Sequence, residues 1–221
     1  RALDKDMPSF DKLSKDVFPG TLAANKWKDH YYGLPLNTNT RVMVANPEAL
    51  ASAGMKKAPA TFDELRDLAK KLKGKKAKAF ADAELSAWAV MPWIWSAGGD
   101  IADENRTKSS GVLDSAASVA GIQLLVDLFK EGQIPNLIVG NKGATATSDG
   151  LPGGEYATIL DGPWMKDIWD GQYPKFKPEY AQVPAGPGGS VSVVGGESIV
   201  VTETSENAEA AFKFVEFTQS E

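Results

Sequence analysis

The 221-residue chain contains no cysteine and a single histidine, His30. Without cysteine it has no disulfides, no thiolate nucleophile and no sulfur-ligated metal site. The compartment stays open on this ground, because exported bacterial proteins often lack cysteine too. A Ser-His-Asp triad would have to use His30, which sits in the aromatic turn "KDHYYG", and no nucleophile elbow occurs in the chain. His30 is therefore read as a structural or surface residue. HExxH, an EF-hand loop and a phosphate-binding GxxxxGK motif are all missing, and no GxGxxG follows a strand. "VVGGES" (193–198) has paired glycines but lacks the third. These gaps leave no metal and no cofactor to expect. No apolar run approaches the ~20 residues of a membrane-spanning helix. The net charge of -5 argues against nucleic acid as a partner. The densest basic stretch, "KKLKGKKAK" (70–78), reads as the solvated end of a helix, where cations suit the dipole.

What the chain does have is ordinary soluble composition, 43% hydrophobic and 24% charged, in a length that fits one large domain or two small lobes. "RVMVA" (41–45) reads as a strand ended by Asn46-Pro47. "TFDELRDLAKKLKG" (61–74) opens on a capping box, Thr61 with Glu64, and carries a Leu65, Leu68, Leu72 stripe stopped by Gly74. "SAASVAGIQLLVDLFKEG" (115–132) predicts a helix burying Ile122, Leu125 and Phe129. "YATIL" (156–160) and "SIVV" (198–201) predict strands, and a helix striped by Ala208, Ala211, Phe212 and Val215 follows Ser205. The glycine-rich segments 140–155 and 184–190 read as surface loops. Alternating strands and helices indicate an α/β architecture.

Tryptophan poses the functional question. In "DGPWMKDIWD" (161–170), Trp164 follows a Gly-Pro turn, where its ring either plugs a core or stands out as a platform. "SAWAVMPWIWSAGGD" (86–100) holds three of the six tryptophans. Trp88, Trp95 and Trp164 cannot share one helix face, so no single core stripe explains them all. A sugar offers an apolar C–H face for stacking and a rim of hydroxyls for Asn, Asp, Glu or Arg. "NTNTR" (37–41) supplies such groups ahead of a strand. Asp161, Glu197 and Glu84 could also serve a glycoside hydrolase, which needs two carboxylates flanking the sugar, so enzyme and binding protein both remain open.

Four stretches resemble the bacterial extracellular solute-binding proteins of ABC transporters, in their maltose and oligosaccharide group. "YYGLPLNTNTRVMVANPEAL" is similar to the family's first crossover and following strand. "APATFDELRDLAKKL" is similar to its helix start, with Phe62 in place of the usual Trp. "MPWIWSAGGD" resembles its Trp-Pro and Gly-Gly turn, and "YATILDGPWMKDI" its Gly-Pro-Trp helix start. The resemblance implies a two-lobed periplasmic-binding-protein-like fold with ligand in the cleft, here largely the second lobe plus parts of the first. Residues 1–39 would belong to lobe one and the first crossover, 40–193 to lobe two, and 194–221 to the second crossover and the return into lobe one.

By the same comparison the chain is expected to be a fragment, with complementary fragments of the same receptor as further partners. Trp164 falls where the family places a sugar-stacking aromatic, and Trp88 at a second aromatic position. Asn39 stands where the maltose-binding group has a cleft glutamate and Ser86 where it has an acid, which favours a sugar other than maltose. Gly195, Gly196 and Glu197 fall at the second crossover, and Arg41 and Trp95 complete the expected ligand set. The implied protein is no enzyme. It is an oligosaccharide receptor serving ABC permease subunits, in the periplasm or on the outer face of the membrane, lipid-anchored in a Gram-positive source.

Overall fold

The computed structural model describes residues 1–136 and 144–220. In chain order these form α1 (Leu3–Asp6), α2 (Phe10–Leu13), α3 (Pro19–Ala23), β1 (Lys26–Trp27), β2 (His30–Tyr31), β3 (Gly33–Pro35), β4 (Asn39–Thr40) and β5 (Val42–Ala45). Next come α4 (Pro47–Ser52), α5 (Phe62–Leu72), β6 (Lys78–Ala81), α6 (Ala87–Ser96), α7 (Ala116–Lys130), α8 (Thr147–Gly150) and β7 (Tyr156–Asp161). The chain continues with α9 (Met165–Gln172), β8 (Glu179–Ala181), β9 (Val194–Gly195), β10 (Ser198–Val200) and α10 (Ala208–Thr218). Two compact units result, Arg1–Thr40 with Val194–Glu221, and Arg41–Val193.

The larger unit, Arg41–Val193, is built on a four-stranded mixed sheet in the order β6-β7-β5-β8. β6 runs parallel to β7, whereas β5 is antiparallel to both β7 and β8. β7 lies inside the sheet, and its first five residues are fully buried. On one face Met43, Phe80 and Leu160 pack with Leu65, Leu68 and Leu72 of α5, Leu124 and Leu128 of α7, and Trp93 of α6. On the other, Val44, Ala81 and Ile159 meet Met165 and Trp169 of α9. Burying both faces is what turns these strands into near-continuous apolar runs.

Local signals explain the helix starts. Thr61 Oγ1 accepts the Glu64 N–H at 3.1 Å, and Glu64 Oε2 accepts the Ala60 N–H at 2.7 Å, so the reciprocal bond lands one residue before the cap. Asn46 does more than end β5. Its Oδ1 caps α4 by accepting from Glu48 and Ala49, with Pro47 pre-set for the first turn.

The expected face of α7 is rotated. Ser118, Gly121, Leu124, Leu125 and Leu128 are its buried residues, while Phe129 is 37% exposed. Contact between helices sets this rotation: a side chain on Gly121 would come within 2.5 Å of the Trp93 carbonyl, so α6 packs against the small-residue face. Of the segment expected as a loop, 140–143 lie outside the described residues, and Thr147–Gly150 form the short helix α8.

In the smaller unit, β3 pairs antiparallel with β10, β1 with β2, and β4 with β9. Leu3, Met7, Phe10, Leu34, Val201 and Val215 form its core. His30 is structural, as expected. Its Nδ1 lies 2.9 Å from Asp4 Oδ2, and Asp4 also accepts the Tyr31 N–H at 3.0 Å. These two bonds fasten α1 to β2.

Candidate functional site

In the larger unit the two parallel strands β6 and β7 end at the same edge of the sheet, with Ala81 opposite Ile159. Antiparallel β5 begins there, Val42 opposite Asp161. Three charged residues are thereby gathered from distant points in the chain: Arg41 before β5, Asp82 after β6 and Asp161 closing β7. Open α/β sheets characteristically bind ligands beyond the carboxyl ends of their strands.

Arg41 is only 5% exposed. Its Nη2 donates to Asp82 Oδ1 at 2.9 Å and to the Leu160 carbonyl, and its Nη1 donates to the Trp88 carbonyl at 3.4 Å. Asp82 is 3% exposed, and its Oδ1 also accepts the Ala83 N–H at 2.8 Å. Burial pushes the Asp82 carboxyl up to about 6 against the pull of the guanidinium, and the charge of Asp161 adds to the rise. Burial also raises Asp161, opposed by the Gly162 N–H at 2.8 Å, by Arg41 and by the neighbouring Trp164 indole.

Trp164 supplies the aromatic feature of the site. Trp164 precedes α9 as its N-cap residue, after the Gly162-Pro163 turn. Its ring covers the Gly162 α-carbon, beside the Asp161 carboxyl that opens the turn. A β-carbon on Gly162 would lie 1.9 Å from Cζ3 and 2.1 Å from Cη2 of the ring. Held in this way, the ring is still 40% exposed. An apolar surface with a carboxylate at its edge can stack on a sugar's C–H face and accept its hydroxyls.

α6 separates its three tryptophans by function. Trp93 is fully buried, edge-on to Phe80 at 5.0 Å. Trp88 and Trp95, two turns apart on one face, are half-buried against a cluster of Met91, Ile94 and Val193. Trp95 Nε1 donates to Asp100 Oδ1 at 2.8 Å, and Ser86 Oγ donates to Glu84 at 2.8 Å.

The remaining expected residues belong to the smaller unit. Asn39 is opposite Gly195 in the β4–β9 pair. Gly196 has φ +139°, and a β-carbon there would sit 2.3 Å from the Asn37 carbonyl, so only glycine fits. The Glu197 carboxylate accepts from Asn37 Nδ2, and the Glu197 N–H returns a bond to Asn37 Oδ1 at 3.2 Å. Asn39 Oδ1 is buried without a hydrogen-bond partner.

The structure therefore groups Arg41, Trp88 and Trp164 at one sheet edge and places Trp95 farther along α6. Arg41 is an interior ion-pair residue. Sequence reasoning missed Asp82. An acid directly after an apolar strand, as in "AFAD", is the signal that could have drawn attention to Asp82. Among the described residues no group of three His, Asp or Glu could hold a metal ion.

Comparison with known proteins completes the picture. The family described as "Bacterial extracellular solute-binding protein" matches residues 2–221. A curated relative from Brucella abortus (strain 2308), named only as a binding protein, is 24% identical over 193 residues, covering 84% of this chain and 46% of its own. The chain thus spans about half the length of the curated relatives it matches. Among solved structures, maltose-bound MalE3 of T. maritima superposes with a TM-score of 0.81 at 24% identity, covering 100% of this chain and 57% of that one. The GacH receptor of Streptomyces glaucescens, solved unliganded and with acarbose, gives 0.77 at 23%, with 100% and 56% covered. UgpB of Mycobacterium tuberculosis, in complex with glycerophosphocholine, gives 0.79 at 17%, with 99% and 54% covered. These likenesses establish the α/β periplasmic-binding-protein-like fold, of which the chain forms part. With residues 2–221 matched by the family, the chain belongs to the bacterial extracellular solute-binding proteins.

Proposed function

We propose that this chain is part of a non-catalytic receptor that binds an oligosaccharide and delivers it to the permease subunits of an ABC importer. One observation carries the reading: Trp164 stands as a partly open platform with its ring over Gly162, next to Asp161, at the sheet edge where such folds bind ligands. Trp88 and Trp95 add half-open aromatic surface in the same unit, and Asn39, Gly195, Gly196 and Glu197 of the smaller unit stay proposed as ligand-binding residues. The residues 1–40 and 194–221 are assigned to lobe one and 41–193 to lobe two. The sugars printed for MalE3 and GacH support this ligand class, whereas the glycerophosphocholine of UgpB marks the principal rival. The receptor is proposed to work in the periplasm or at the outer face of the membrane, lipid-anchored in a Gram-positive source. Among the described residues no helix is long and apolar enough to cross a membrane.

The test is calorimetric titration of the full-length protein with maltose, maltotriose, further α- and β-linked oligosaccharides, and glycerophosphocholine. A sugar in the panel is expected to bind. Trp164→Ala is expected to weaken that binding by about 1–3 kcal/mol, tenfold or more, with the fold retained. Binding of glycerophosphocholine alone would overturn the sugar reading. Release of reducing ends that depends on Asp161 or Glu197 would replace the receptor with a hydrolase.

A further inference from the structure

Arg41 bonds to the elements that carry both aromatic surfaces. From a buried position it reaches three elements at once: Asp82 at the end of β6, the Leu160 carbonyl in β7, and the Trp88 carbonyl in the first turn of α6. Leu160 lies at the end of β7, the strand that leads through the Gly162-Pro163 turn to Trp164 and α9. The Arg41 carbonyl is in turn fixed by Ser192 Oγ at 2.6 Å. The planar guanidinium suits this task, because its donors diverge in a rigid fork that a lysine ammonium does not reproduce. Asp82 completes the arrangement. It is almost wholly buried, so it meets no ligand, and it holds the guanidinium from the side of β6.

We propose that Arg41, fixed by Asp82, is a positioning residue that sets the distance and angle between Trp88 and Trp164 without contacting the ligand. The two indoles sit on separate helices, α6 and α9, whose own packing lies on different clusters. Nothing in either helix alone fixes one ring relative to the other. The guanidinium does so, by tying the strand end that leads into α9 to the start of α6. A ligand that stacks on both rings then meets a preformed spacing, and preorganisation of this kind raises affinity by cutting the cost of ordering the site. The inference rests on the proposed sugar site for its consequence, but its geometric part stands by itself.

The experiment compares Arg41→Lys and Asp82→Asn with the wild-type full-length protein, alone and combined with Trp88→Ala. Indole N–H resonances give a readout that needs no ligand. Both variants are expected to shift the Trp88 and Trp164 signals while the Trp27 signal stays in place. Titration with the sugar that binds best in the panel above gives the second readout. Arg41→Lys is expected to weaken affinity about tenfold, and that loss is expected to vanish in the Trp88→Ala background, because paired residues acting through one another are non-additive. Should Arg41→Lys fail to fold, Asp82→Asn carries the same two readouts. Unmoved Trp88 and Trp164 resonances would overturn the proposal, as would an equal affinity loss with and without Trp88. If no sugar binds, the receptor reading falls, and the indole shifts still decide the positioning of the rings.

Discussion

Asp82 illustrates how one buried group can carry a measurable signature. A carboxyl taken out of water prefers its neutral form, and here the attraction of Arg41 does not fully offset that preference, so its pKa stands at about 6 against an ordinary 3.8. The native state therefore binds a proton more tightly at this position than the unfolded chain does. Stability from Asp82 is fully present below about pH 4 and is lost as pH rises through about 6. The interval between 3.8 and about 6 corresponds to about 3 kcal/mol. Asp82→Asn has no proton to lose, so its unfolding free energy relative to wild type is expected to improve steadily between pH 4 and 7. Urea denaturation of both proteins across that range measures it. A difference that stays flat with pH would show that Asp82 titrates in the normal carboxylate range. The balance also bears on function, because at neutral pH the charged Asp82 is the partner that holds Arg41.

At the scale of elements, what could be read early was what depends on neighbours in sequence. The α5 start is the clearest case: Thr61 and Glu64 announced the cap, and both of their oxygens accept backbone N–H groups. Thr61→Ala is expected to cost about 1 kcal/mol of stability, visible as a lowered thermal midpoint with unchanged ligand affinity. A loss of affinity from that substitution would mean that α5 reaches the site. The three strands of residues 41–45, 156–160 and 198–201 were legible for a similar reason, since short β-branched runs between turn residues leave little choice. The face of α7 was not legible. Its apolar positions run nearly all round, and only the close approach of Gly121 to α6 decides which of them are buried. Sheet order escaped the sequence too, because β6 lies between helices in the chain yet pairs parallel with β7, about 78 residues later. The site was half-visible on the same principle. Trp164 declared itself through the local Gly-Pro turn, whereas the Arg41–Asp82 pair, 41 residues apart, required the sheet.

The molecule divides in a way that makes its two parts unequal. Arg41–Val193 is one continuous stretch, and it contains a whole sheet covered on both faces. Its two ends meet, since Ser192 Oγ donates to the Arg41 carbonyl at 2.6 Å, so excision there leaves no distant ends to hold together. The smaller unit is assembled from two segments far apart in sequence, and Phe18, Trp27, Phe214 and Phe217 in it are each more than half exposed. An exposed apolar surface of that kind favours association, because water gains by its removal. The segment 41–193, expressed by itself, is therefore expected to unfold in a single cooperative transition as a monomer. It is also expected to keep the Trp164 and Trp88 indole resonances of the full-length protein, since Gly162 under the Trp164 ring and the Arg41–Asp82 pair beside Trp88 lie within it. A fragment of residues 1–40 joined to 194–220 is expected to aggregate under the same conditions. Light scattering and denaturant titration on the two pieces test this asymmetry. A segment 41–193 that lacks a cooperative transition would show that its core depends on the rest of the chain, and the aromatic platform could then not be treated as a property of one unit.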